Sequence, residues 1–425
     1  MTRNGMTIGR RRFVAGAGAV GAAGTVGMLA PRLAFGTPGA TGRGDVLVQV
    51  FLRGGMDGLS AIAPYSDSGY YDLRPTIAVP PPNTGDRLAG ALPLASGFGM
   101  HPAMAPLYDG PWADGNMAVV VATGMPPYES ATRSHFDAQI HWEAGSATAL
   151  DGRGWLARHL TTNGVSAAIE GVGRGTSLQR SLRGDRSAFS VSSLGSFGLQ
   201  NYHWSLRDEA REVLRGMYVD GSPSEVLQLG HDTLGAIDLI GAAEGQPTEA
   251  TYPGSSWQSA PFSETAKLIK ADIGLQAVCV DVGGWDHHSE LGVVGDTDGR
   301  FHQRMSGLAG MLAAFYADLG PTRMQEVTIV VMSEFGRTIN ENGDGGCDHG
   351  RGSMSMVIGG NINGGLYGAE TFPGVVDDPD HGDLGVAIDY RRVMGEIVRK
   401  RLDNSDLGAI FPTYVHDTGA ELGLA

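Results

Sequence analysis

The sequence predicts an α/β fold, with one core built on an open, mostly parallel sheet and one inserted subregion. Short apolar runs at 45–52, 117–122, 275–282, 327–333 and 354–358 read as strands buried on both faces. Segments of helical spacing separate several of them, as in Met305, Leu308, Leu312, Phe315 and Leu319. The turns after the runs are rich in Gly and charged side chains, and in such sheets ligands sit beyond the carboxyl ends of the strands.

The order along the chain follows from these signals. Asp45–Leu52 reads as the first strand, and Arg53-Gly54-Gly55-Met56-Asp57-Gly58 turns sharply out of it. Residues 64–99, rich in Pro, Gly and Tyr, form an irregular excursion. A short helix at His101–Tyr108 precedes the strand Met117–Ala122. Tyr128–Gly145 reads as a helix with a hydroxyl-rich start and a Gly C-cap, its first turn suited to an anion.

From about 151 to 254, loops bearing Arg174, Arg180, Arg183 and Arg186 lead to amphipathic stretches at Leu206–Met217 and Ser222–Ala243, and the whole reads as an inserted helical cap. The α/β rhythm then returns: helix Glu264–Ile273, strand Leu275–Val282, the turn Gly283-Gly284-Trp285-Asp286-His287-His288, helix Phe301–Leu319 and strand Val327–Ser333. A loop carrying Asp348, His349 and Arg351, a strand at Met354–Ile358 and a helix at Tyr390–Leu402 complete the chain.

With 42% hydrophobic and 18% charged residues in 425, the composition is that of a globular protein. Residues 1–36 read as an export signal: Arg10-Arg11-Arg12-Phe13 precedes an apolar, Gly/Ala-rich run too short and weakly hydrophobic for a membrane span, in the twin-arginine style. The mature chain, 37–425, is then a single α/β domain in the periplasm or outside the cell, with no membrane span. Removing the signal takes away Arg3, Arg10, Arg11, Arg12 and Arg32 and no acid, so the formal charge falls from −15 to −20. That balance argues against nucleic acid or an anionic membrane as partner and favours cations. Two cysteines, Cys279 and Cys347, make no disulfide framework, and a mid-strand Cys279 is expected to pack in the core.

Four polar clusters fall at strand ends or a helix start: Arg53/Asp57, Thr132/Ser134/His135, Asp286/His288, and Glu334/Arg337 with Asp348/His349. Mixed carboxylates and imidazoles are the donors that hold Zn, Mn, Mg or Ca. Asp286 and His288, two apart at a strand end, share a face if the chain is extended, and His349 with Glu334 or Asp348 would complete a shell. No Gly-x-Gly-x-x-Gly opens a helix, which disfavours a dinucleotide fold.

The Arg-Arg-x-Phe leader, Phe51–Leu59, Thr132–Gln139, Val282–His288, Ser333–Thr338 and Asp348–Gly352 together resemble the exported family called domain of unknown function 1501, over essentially the whole chain. That family is similar to the alkaline phosphatase and sulfatase superfamily. The resemblance implies a doubly wound sheet with helices on both faces and a two-metal site for phosphoryl or sulfuryl transfer. Ser134 stands at the nucleophile position, Asp286 and His288 at the middle ligand set, Glu334 at the next acidic position and His349 at the last imidazole. Two positions depart from the superfamily pattern: the first acid is delayed to Asp57, and Phe335 stands where a second-metal His is expected, which points to one metal or a remodelled site. The expected ligands are therefore Asp286, His288, Glu334, Asp348, His349 and Asp57, around a divalent metal. Ser134 is the expected nucleophile, His135 an acid or base, and Arg53 and Arg337 the groups that stabilise developing charge. The substrate would be a small anionic ester or a glycan. The competing class is a non-catalytic exported protein that keeps the fold to bind a cation, glycan or protein partner.

Overall fold

In the computed structural model, strand β1 (Val46–Arg53) lies at the centre of the sheet and divides its side chains between two cores. The structure describes residues 45–184, 187–199, 206–218, 224–375 and 382–425. The expected export signal, the connector after it and Arg186 lie outside the described residues. Val46, Val48, Val50 and Leu52 join one core, while Leu47 and Phe51 join the other. Each such side chain, removed from water on a double-sided sheet, contributes about 1.5–3 kcal/mol.

Three two-residue strands follow β1: β2 (Ile62–Ala63), β3 (Leu92–Pro93) and β4 (Gly99–Met100) make a separate small sheet. The main sheet continues with β5 (Met117–Gly124), β6 (Gly171–Arg174), β7 (Ala188–Val191), β8 (Ala277–Gly283), β9 (Val327–Ser333), β10 (Ser353–Gly359), β11 (Gly365–Tyr367) and β12 (Ile388–Asp389). Its order is β11-β5-β10-β9-β1-β8-β6-β7, with β12 also on β5. Every pairing is parallel except those of β10, which runs against β5 and β9. The fold is thus the expected α/β type, a mostly parallel central sheet with helices around it.

The helices that matter below are α1 (His135–Ala144), α2 (Trp155–Thr162), α3 (Arg207–Met217), α4 (Glu225–Glu244), α5 (Ser256–Lys270), α6 (Arg300–Met324) and α7 (Tyr390–Lys400). α1 is shorter than the 128–145 stretch suggests, because Ser134 caps it and the chain before Ser134 is irregular; Gly145 closes it with φ 72°. α6 is kinked at Gly320, ahead of Pro321. The helix expected at 101–108 is instead a broken series of single turns around Pro102, Pro106 and Pro111.

The inserted cap needs correction. Residues 151–254 do supply α3 and α4, but they also supply β6 and β7, which extend the central sheet beyond β8. The region is therefore part of the sheet rather than an appendage to it. No helix among the described residues is long and apolar enough to cross a membrane. Cys279 and Cys347 are both buried free thiols.

Candidate metal centre at the strand ends

Three parallel strands stop at one level. Arg53 of β1 is paired with Gly283 of β8, and Leu52 with Ser333 of β9, so the segments beginning Gly54, Gly284 and Glu334 leave the sheet together. β10 runs the other way and starts at the same edge, so the 334–352 loop returns there with His349. Gly54 and Gly55 make this convergence possible. Their φ values are +124° and +65°, and a Cβ would lie 2.6 Å from the Asp286 nitrogen at Gly54 and 2.5 Å from the Phe335 ring at Gly55.

Asp286 Oδ1 is the meeting point. His288 Nε2 stands 3.1 Å away, His349 Nε2 3.3 Å and His135 Nε2 3.4 Å, and Arg337 Nη2 donates to it at 2.5 Å. Each imidazole is held by its other nitrogen. His135 Nδ1–H donates to Glu334 Oε1 at 2.8 Å, His288 Nδ1–H to Asp348 Oδ1 at 2.9 Å and His349 Nδ1–H to the Arg133 carbonyl at 2.8 Å, since carboxylates and carbonyls only accept. A neutral imidazole with Nδ1–H so engaged leaves a bare lone pair on Nε2, which is the tautomer that binds metals. His288 and His349 bring these two atoms to 2.9 Å, and His135 Nε2 is buried with no hydrogen-bond partner. Arg337 is the one donor here, to Asp286 Oδ1 and, at 3.4 Å, to His288 Nε2; the Nε2 lone pairs of His135 and His349 meet the carboxylate with no donor supplied to them, which fits a cation. Of the described residues, His135, Asp286 and His349 offer ligand atoms within 4.8 Å of one another.

The electrostatics agree. Burial pushes the Glu334 carboxyl up, but hydrogen bonds from His135, Gln139 and the Gly54 N–H outweigh it and hold the group below its ordinary range. Burial likewise works against Asp286, yet the Arg337 guanidinium holds it down at about 2. The His288 hydrogen bond lowers Asp348. Of the three carboxylates, Asp286 pairs with the Arg337 guanidinium, while Glu334 and Asp348 accept from the His135 and His288 rings.

Several expected roles change. Glu334 and Asp348 stand one layer out, orienting His135 and His288 rather than facing the common point. His135, expected as an acid or base, instead brings its Nε2 to the same point as His288 and His349. Asp57 is not at the centre: it is 1% exposed and fully engaged by Arg74, with Nη1–Oδ2 at 2.6 Å and Nη2–Oδ1 at 3.1 Å, and by the Ser60 hydroxyl at 2.6 Å. Neither expected charge-stabilising arginine is open to a ligand. Arg53 pairs with Glu143 at 2.8 Å and Asp281 at 2.8 Å and covers the Phe51 ring. Arg337 is 1% exposed and donates to the carbonyls of Gly55, Gly54 and Cys347, so it ties the three strand-end loops together. Ser134 caps α1, its Oγ accepting the Asp137 N–H at 3.4 Å, one residue before His135.

Phe335 fills the space expected for a second imidazole. Its ring lies 4.8 Å from that of His135 and 5.0 Å from that of His349, so it packs against both imidazoles and supplies no donor. Sequence reasoning missed the reach of Arg133, which donates to the His349 carbonyl at 2.9 Å and to Asp383 at 2.6 Å, bracing the loop before α1 against the last ligand.

Residues 236–381 match the family described as "Protein of unknown function (DUF1501)". That span carries Asp286, His288, Glu334, Arg337, Asp348 and His349, while His135 and Ser134 lie before it. Among solved structures, a protein in the alkaline phosphatase superfamily from Vibrio parahaemolyticus is similar at 12% identity and a TM-score of 0.32, covering 85% of this chain and 72% of that one. No curated protein matches the chain.

Proposed function

We propose that this chain is an exported, metal-dependent hydrolase of phosphate or sulfate esters with a single metal centre. The observation that carries the reading is the convergence of three Nε2 lone pairs, from His135, His288 and His349, on Asp286 Oδ1, each ring anchored through Nδ1. When bound there, a divalent cation supplies Lewis acidity toward an ester oxygen and lowers the pKa of a nearby hydroxyl or water.

The protein's own groups do the rest. Glu334, Asp348 and the Arg133 carbonyl keep the three rings oriented and raise their basicity as ligands. Arg337 holds Asp286 ionised and fixes the loops against one another. Phe335 excludes water from one side of the His135 and His349 rings. Ser134, at the start of α1 and one residue from His135, supplies the nucleophilic hydroxyl in this reading, where the unpaired N–H groups of the first helical turn favour an anion. A basic, polar cleft opens beside Asp286, which suits an anionic ester over a neutral one. Export rests on the Arg10-Arg11-Arg12-Phe13 leader.

A second reading, a non-catalytic metal-binding protein, is supported by the commitment of Arg53 and Arg337 to structural partners and of Ser134 to the helix cap. Elemental analysis of the purified protein, followed by assays on aryl phosphate, phosphodiester and sulfate esters, separates the two. One equivalent of metal with turnover of one ester class is expected. His349→Ala removes both, whereas Ser134→Ala keeps the metal and loses turnover; metal without any turnover favours the binding protein, and no metal in wild type sinks both forms of the proposal.

A further inference from the structure

We propose that the cleft beside Asp286 is a subsite for a second anionic group of the ligand, remote from the reacting ester, with Arg304 as its main contact. The substrate class is thereby narrowed to polyanionic esters, those carrying a further phosphate or sulfate. As a substrate subsite this rests on the metal-dependent hydrolase reading; as an anion site it stands without it.

The cleft, an open depression of about 610 Å³, is walled by Gln258, Asp286, His287, Arg300, Gln303 and Arg304. Asp286 belongs to the metal centre, so the two sites share a wall. Arg300 and Arg304 are four residues apart on α6 and therefore project from one face. Two guanidiniums with two amides are an unusual lining in a chain of net charge −15, and they form a local reversal of its field.

The partners of these groups separate this patch from an ordinary solvated surface. Arg304 has no ion-pair partner among the described residues, in contrast to Arg53, Arg74, Arg337 and Arg391, each of which faces a carboxylate. Arg300 pairs at 2.6 Å with Glu290, and both side chains are more than half exposed, a pairing worth little and readily exchanged. His287, 5% exposed, lines the same cleft, and its Nδ1 has no hydrogen-bond partner. A buried polar atom without a partner is costly, and in the tautomer that carries the proton on Nδ1 a ligand oxygen accepting from it removes that cost. Gly284, with φ +90°, brings the β8 turn against Arg304: a Cβ there would lie 2.7 Å from the guanidinium carbon. The glycine thus lets the guanidinium lie flat beside the turn that delivers Asp286.

Planar guanidinium forks beside side-chain amides are suited to the tetrahedral oxyanions phosphate and sulfate. A single hydrogen-bonded charge of this kind is worth about 1.5–3 kcal/mol, or about tenfold or more in affinity.

Two calorimetric titrations of the full exported chain test the subsite. In the first, inorganic phosphate is added to metal-stripped protein. Wild type is expected to bind at one site, His349→Ala equally well, and Arg304→Gln at least about tenfold more weakly. In the second, metal-loaded protein is titrated with hexose 1-phosphate and hexose 1,6-bisphosphate. The bisphosphate is expected to bind about tenfold more tightly, and Arg304→Gln to erase that preference while leaving the monophosphate unchanged. Arg304→Lys, which keeps the charge, retains part of the preference, and circular dichroism of each variant verifies folding. Absence of phosphate binding to the stripped wild type, equal binding by wild type and Arg304→Gln, or equal affinity for the two esters overturns the proposal. If the protein takes up no metal yet phosphate binding still depends on Arg304, the hydrolase reading fails and the anion site stands.

Discussion

Asp57 and Asp286 begin as equals: each is an acid delivered by a glycine turn just past a buried strand, and each meets an arginine. Their surroundings differ completely. The Asp57 side chain is 2% exposed, and Arg74, which grips it through two bonds, also donates to the carbonyls of Ile339 and Thr338. The Asp286 side chain is 49% exposed, receives one bond from Arg337 and is ringed by three imidazole nitrogens that carry no proton toward it in the neutral form. A carboxylate with every lone pair answered holds the fold together. One left under-supplied with donors, in the open, is where a cation or ligand completes the arrangement.

The strongest way to break this contrast is to exchange the charge at each acid in turn. Asp286→Asn also takes the counter-ion from the buried Arg337, but that guanidinium keeps the carbonyls of Gly54, Gly55 and Cys347 as acceptors and the acid itself is half exposed, so a smaller loss of stability is expected; in the folded protein, metal disappears altogether along with ester turnover, as read by mass spectrometry and a rate assay. Asp57→Asn is expected to do the reverse. It leaves the Arg74 guanidinium, wholly buried, without its counter-ion, a change that costs about 3–5 kcal/mol of stability in urea unfolding, while the folded fraction keeps its metal. Metal loss in the folded Asp57→Asn protein would put Asp57 back into the centre.

The next test concerns the outer layer. Asp348 touches the centre only through His288, accepting from its Nδ1, and its own side chain is 61% exposed. Asp348→Asn keeps the shape and weakens the orientation of the ring. A fall of about 10–100-fold in metal affinity is expected, with unfolding free energy unchanged. A complete loss of metal, as large as that in Asp286→Asn, would mean that Asp348 binds the ion directly.

How much of this was legible in the sequence follows from which signals are local. The long strands were, because burial on both faces demands near-continuous apolar runs such as Val327–Met332, broken only by Thr328. The edge strands were not. β6 reads Gly-Val-Gly-Arg, four residues with one large apolar side chain, and nothing in so short a run separates it from a loop. At the site, the chemical types at the strand ends singled out Asp286, His288 and His349, and these side chains do lie together. The layering of those residues was not readable: whether Glu334 faces the centre or backs His135 depends on where α1 docks, 199 residues away in sequence. The difference between Asp57 and Asp286 is of the same kind. It is decided by Arg74 and Arg337, which reach them from elsewhere in the chain, and by what then remains unanswered at each carboxylate.

The smallest effect comes from a histidine on the structural side of the same contrast. His159, on α2, is 1% exposed, and burial pushes its imidazole down to about 4 from an ordinary 6.5, with the Asn404 amide donating to Nδ1 at 3.1 Å. The folded protein therefore keeps this ring neutral where the unfolded chain protonates it. Above 6.5 neither state binds the proton and stability is untouched; as pH falls from 6.5 toward 4 the unfolded state gains protons and stability declines. The loss reaches about 1 kcal/mol by a pH one unit below the ordinary value. His159→Gln offers an amide in place of the ring and does not titrate. Its stability deficit relative to wild type is expected to shrink by that amount between pH 7.5 and 5.5, as measured by urea unfolding of both proteins at each pH. Acid release of metal from the centre acts on both proteins and cancels in the difference, so parallel slopes would show that His159 does not carry the acid sensitivity.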